Sequence, residues 1–88
     1  MDYTEIGQRI KKFRKQQNLS QEELAEKIGI STTHMSHIET GSTKLSLPVL
    51  VDLAVSLKVK TDCLLFSESN TSNSETIKLL EQAILNLR

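Results

Sequence analysis

Residues 21–39 read QEELAEKIGISTTHMSHIE and hold most of the side chains able to do chemistry. His34 and His37 stand three apart, a spacing at which two imidazoles on one helix can share a metal ion. A structural zinc site needs about four protein ligands, and the single cysteine, Cys63, lies well outside the stretch. The chain has no H-E-x-x-H or C-x-x-C pattern, no recognisable nucleophile–base pair and no glycine-rich phosphate loop. Neither an enzyme, a metal protein nor a cofactor carrier is expected. What remains is hydrogen-bonding chemistry. If Met35 and Ile38 face inward on a helix, then Thr33, Ser36 and His37 project away from them, and Thr32 lies in the exposed first turn. Threonine offers a hydroxyl and a methyl that packs on a thymine methyl, and an imidazole can donate to guanine O6 or N7 or to a phosphate. An ordinary polar surface helix would carry the same residues, so the surrounding elements must decide.

Those elements read as short helices. Ile6, Ile10 and Phe13 follow a four-three spacing that gives one apolar face to a helix over residues 4–17. Ser20, with Glu23 three residues on, has the pattern of a capping box. Leu24, Ala25 and Ile28 form the next stripe, and Gly29 stops it as a left-handed residue would. Ser31 caps a third helix over residues 32–39, which ends at Gly41. Ser46 caps a fourth, with Pro48 tolerated in its first turn. Leu47, Leu50, Leu53, Ala54 and Leu57 are expected to form its inward arc, and Thr61-Asp62 open a last turn holding Leu64 and Leu65. Residues 21–39 are then two helices meeting at Gly29, with small Ala25 permitting close approach: the sterics of a helix-turn-helix.

The chain has 88 residues, 38% of them hydrophobic and 3% aromatic, so one small, aliphatic, all-α core is expected. A lone cysteine allows no internal disulfide, and the polar opening Asp2, Thr4, Glu5 is not a secretory signal; a cytoplasmic location is expected. No apolar run is long enough to span a membrane. The net charge is zero, which by itself argues weakly against nucleic-acid binding. Its distribution argues otherwise, because Arg9, Lys11, Lys12, Arg14 and Lys15 fall within seven residues.

Residues 4–66 resemble the Cro and phage-repressor type (Xre-like) helix-turn-helix regulators. The resemblance rests on IGQRIKKFRKQQNLSQEELAEKIGIS, the IETG turn, LSLPVLVDLAVSLKV and the closing TDCLL. The family often has an aromatic where Cys63 stands, a departure that bears on packing. The resemblance implies a five-helix lambda-repressor-like fold and a sequence-specific regulator of bacterial or phage type that binds double-stranded DNA. By position, Thr32, Thr33, Ser36 and His37 match residues that touch base edges or the adjoining backbone. Gln21, at a helix start where free N–H groups attract phosphate, matches a backbone-contacting glutamine. Ser31, Thr43 and Lys44 complete the candidate backbone contacts, with Arg9 and Lys11 as weaker candidates. The family also implies a structural ion pair between Arg14 and Glu39.

Three parts are expected: a helix-turn-helix DNA-binding domain over 1–66, a linker over 67–74, and a C-terminal helix over 75–88. The linker, SESNTSNS, has no apolar residue. The last helix places Ile77, Leu80, Ile84 and Leu87 at a three-four rhythm suited to a helix–helix seam. The simplest reading is a homodimer acting as a repressor by promoter occlusion. The alternatives are an antitoxin or developmental switch protein whose last helix holds another protein, or a helix packed back on its own domain.

Overall fold

The computed structural model describes residues 2–66, and these form five helices. They are α1 (Tyr3–Gln16), α2 (Gln21–Ile28), α3 (Thr32–Thr40), α4 (Leu47–Leu57) and α5 (Thr61–Leu65). The expected seam of Ile77, Leu80, Ile84 and Leu87 and the linker before it lie outside the described residues.

Local chemistry sets most boundaries. α1 begins one residue earlier than the apolar pattern suggests, because the Asp2 carboxylate accepts from the N–H groups of Thr4 and Glu5. Ser20 and Glu23 form the full capping box at α2, and Ser31 and Ser46 cap α3 and α4 through the N–H groups of His34 and Val49. Gly29 (φ 75°) and Gly41 (φ 76°) end α2 and α3 in the left-handed region. Where no glycine is present, Asn18 (φ 58°) and Lys58 (φ 57°) adopt the same conformation. The following residues donate back to the closing turns: Leu19 to Arg14, Ile30 to Ala25, Ser42 to His37 and Val59 to Ala54.

α3 packs against both α1 and α2, while α4 and α5 close the opposite side. Ile6, Ile10, Leu24, Ala25, Met35, Ile38, Leu50, Leu53, Ala54, Leu57 and Leu64 are buried together. Leu47 is a correction to the expected inward arc. It is exposed, since it falls on the row of Val51 and Val55, one step around the helix from Leu50, Ala54 and Leu57.

Side chains join the ends of the helices. Arg9 Nη1 donates to the carbonyls of Leu64 (3.2 Å) and Leu65 (3.0 Å), closing the end of α5, and Arg9 Nη2 pairs with Glu5 Oε2 at 3.6 Å. Gln17 Nε2 donates to the carbonyl of Leu57, closing α4. No helix among the described residues is long and apolar enough to cross a membrane.

Candidate nucleic-acid interface

The two helices around Gly29 meet as the sequence requires. Ala25 and Leu24 of α2 are buried against Met35 and Ile38 of α3. This fixes which face of α3 is outward. Thr32 and Thr33 are exposed in its first turn, and His37 is exposed one turn later. Ser36 is half-buried, closer to the domain than the other three. The first turn of α3 has no acidic residue, so nothing there repels a phosphate or a base-edge acceptor.

Behind this face lies a buried charged network. Glu39, in the last turn of α3, is 4% exposed, and Arg14 of α1 is 7% exposed. Arg14 Nε donates to Glu39 Oε2 at 2.6 Å and Nη2 donates to Oε1 at 3.0 Å, a two-pronged pair. Arg14 Nη1 donates to the Leu19 carbonyl at 2.8 Å, which holds the α1–α2 connection. Gln21 Nε2 donates to the same Glu39 Oε1 at 2.9 Å. One carboxylate therefore joins α1, the start of α2 and the end of α3.

The candidate backbone contacts fall at helix ends. Gln21 is half-buried at the first position of α2, where N–H groups lack intrahelical partners. Its side chain is engaged with Glu39, which leaves the second amide proton, the side-chain oxygen and the backbone N–H for other partners. Ser31 is exposed, and its hydroxyl oxygen accepts from His34 N. Thr43 is half-buried and Lys44 exposed in the loop after Gly41. That loop is shaped by Ser42, whose hydroxyl shares a 2.9 Å hydrogen bond with Thr40 Oγ1. Glu23 is held below its ordinary carboxylate range by hydrogen bonds from the backbone and side chain of Ser20. Arg9, a weaker candidate for the backbone, is committed instead to α5 and Glu5.

Two contributors escape a reading of the sequence. A Cβ on Gly7 would lie 2.4 Å from the Ile38 carbonyl oxygen and 2.5 Å from that of Glu39, so this glycine lets α1 sit directly on the end of α3. Its signal was a glycine inside an otherwise apolar-periodic helix, between Ile6 and Ile10. The second is the Gln21–Glu39 bond, which no spacing announces.

Comparison with known proteins agrees with this architecture. A family model described as helix-turn-helix matches residues 10–62. The HTH-type transcriptional regulator SinR of Bacillus subtilis is 36% identical over 85 residues, covering 90% of this chain and 77% of that protein. The crystal structure of SinR in complex with DNA superposes with a TM-score of 0.65 at 40% identity, over 69% of this chain and 98% of that one. SinR in its complex with the SinI protein matches with a TM-score of 0.67 at 39% identity, over 90% of this chain and 78% of that one. The restriction-modification controller protein C.AhdI of Aeromonas hydrophila matches with a TM-score of 0.69 at 32% identity, over 72% of this chain and 96% of that one.

Proposed function

This chain belongs to the Cro and phage-repressor type (Xre-like) helix-turn-helix family, and on that premise we propose that it is a sequence-specific repressor that occludes promoters as a homodimer. The family and the relatives above are DNA-binding transcription regulators, not enzymes. The observation that carries the reading is the outward face of α3. Thr32, Thr33 and His37 stand exposed on a helix whose other side is fixed by Met35, Ile38 and the buried Glu39. A short helix held rigidly by one face can enter a major groove with the other.

In this reading Thr32, Thr33, Ser36 and His37 contact base edges. Gln21, Ser31, Thr43 and Lys44 set the register on the phosphates. The Arg14–Glu39–Gln21 network holds the phosphate anchor at the start of α2 in a fixed relation to the reading helix. Two-fold dimers match operators with two half-sites, and residues Ile77, Leu80, Ile84 and Leu87 supply the seam. Operator DNA selected from a random library provides the test. Replacing Thr33 and His37 together by Ala should cost roughly 1–3 kcal/mol per lost base contact. It should leave the melting temperature and salt-sensitive non-specific binding in place. A double variant that still discriminates selected from scrambled DNA removes these residues from the reading face. For the dimer, light scattering should show two copies in the full chain and one after removal of residues 67–88.

A second reading is supported by the SinR–SinI complex, whose SinR chain matches 90% of this one. Residues 75–88 would then hold another protein, as in an antitoxin or developmental switch protein. A monomeric full chain in light scattering favours this reading over the homodimer.

A further inference from the structure

The outward side of α3 extends past the residues already assigned to base edges. Met35, Ile38 and Glu39 are buried on one side of this helix, and Thr33, His37 and Thr40 stand exposed on the other, at spacings of four and three. Thr40 is the last residue of α3, and its hydroxyl is already engaged. Thr40 Oγ1 lies 3.1 Å from the Ser36 carbonyl oxygen and 3.3 Å from that of His37, two acceptors for its single proton. Ser42 Oγ, 2.9 Å away, shares a further hydrogen bond with it. Whichever way the protons run, the Thr40 hydroxyl proton is held within the domain. The methyl is the one wholly uncommitted group of this exposed side chain.

We propose that Thr40 is a specificity-determining residue that reads a thymine 5-methyl group in the major groove through its own methyl. The proposal rests on the reading of α3 as the base-contacting helix and adds to it one residue and the chemistry that residue uses. A hydroxyl bound within the domain is a poor reader of hydrogen-bonding edges, since engaging a base would break bonds it already has. The thymine methyl is the one apolar group that a base pair shows in the major groove. Packing a methyl against it requires no donor or acceptor.

Place and charge point the same way. Thr40 is seven residues from Thr33, about 10 Å along the helix axis, while the major groove is about 12 Å wide. The row is therefore short enough for all three residues to face one groove. In the chain, Thr40 lies between His37 and the loop of Thr43 and Lys44, the candidates for phosphate contact. Within the groove the thymine methyl sits on the part of the base nearest its own strand's backbone. A residue between the base readers and the phosphate anchors suits that position. Phosphate itself is the poorer partner for Thr40, because the carbonyl end of a helix carries partial negative charge.

Uracil substitution tests this in the full chain, because uracil is thymine without the 5-methyl. In the operator selected from a random library, each thymine is replaced in turn by uracil, and affinity is measured for the parent, Thr40→Ser and Thr40→Val. At the position that Thr40 reads, the parent should lose about fourfold in affinity per contacted methyl, the effect of about one buried methyl. Thr40→Ser keeps the hydroxyl and should bind the thymine and uracil forms of that position equally. Thr40→Val keeps a methyl and should retain the parent's preference for thymine there. Preferences for thymine at other positions should persist in Thr40→Ser. A parent with no uracil-sensitive position, a preference that Thr40→Ser leaves unchanged throughout, or one that Thr40→Val abolishes as well overturns the proposal while α3 remains the reading helix. Binding that prefers no selected sequence over scrambled DNA overturns that reading and the proposal together.

Discussion

Replacing Arg14 by Met should destabilise the domain more than any surface change, for reasons its contacts make explicit. Arg14 donates twice to Glu39, at 2.6 and 3.0 Å, and once to the Leu19 carbonyl at 2.8 Å. Without it, the Glu39 carboxylate remains at 4% exposure with the Gln21 amide as its remaining side-chain donor. Breaking a buried pair from one side typically costs about 3–5 kcal/mol. A domain of this size has roughly 3–10 kcal/mol in total, so Arg14→Met should remove a large part of it. Glu39→Met should cost less, because the guanidinium keeps the Leu19 carbonyl and its long stem can carry the charge toward water. The double variant should recover to within about 2 kcal/mol of the parent, since no charge is then left buried. Urea titrations of the four proteins give the cycle directly. Costs that simply add, or an Arg14→Met cost under about 1 kcal/mol, would refute the view that these two charges depend on each other.

Further outcomes follow from individual contacts. Gly7→Ala puts a Cβ 2.4–2.7 Å from the backbone of Ile38 and Glu39, so α1 and α3 must part. The cost should be about 1–3 kcal/mol or more, read as a fall in melting temperature of about 4–8 °C per kcal/mol. Glu23 has a lowered pKa in the folded chain, so its contribution is present above the ordinary carboxylate value and is lost as pH falls through the lowered one. Glu23→Gln keeps an acceptor for the Ser20 N–H but does not titrate, and thermal melts from neutral to acid pH should show a shallower acid limb. Lys44→Ala should weaken binding to selected and scrambled DNA by the same factor and reduce the slope of log K against log salt by about 0.9 per copy bound, about 1.8 for a dimer. An unchanged slope in filter or fluorescence titrations would place Lys44 off the phosphates.

Much of the fold was legible because its signals are local. A serine begins each of α2, α3 and α4 by accepting from an N–H three residues on. Gly29 and Gly41 stop α2 and α3 by adopting a conformation that costs other residues more. The apolar spacing of Ile6, Ile10, Leu24, Met35 and Ile38 identified the inward faces, and with them the outward side of α3. Such features need only a few neighbouring residues, so the chain carries them in linear order. Other features required the assembled domain. Leu47 looked like part of the buried arc, but periodicity is too coarse to separate two rows of an almost wholly apolar helix, and packing against α2 and α5 selected the row of Leu50, Ala54 and Leu57. Gly7 is needed only because the carbonyls of residues 38 and 39, far along the chain, come to lie against it. Arg9 stood in a basic run that suggested phosphate, and only the arrival of α5 supplied the carbonyls it binds. Gln21 marks a helix start in the sequence, whereas its bond to Glu39 exists because α1 and α2 bring the end of α3 within reach. The sequence by itself determined, to within a residue or so, where the helices begin and end, and which way α1, α2 and α3 face. Tertiary packing decided which polar groups would engage one another and which would stay exposed, since that choice depends on distances between residues the chain keeps far apart.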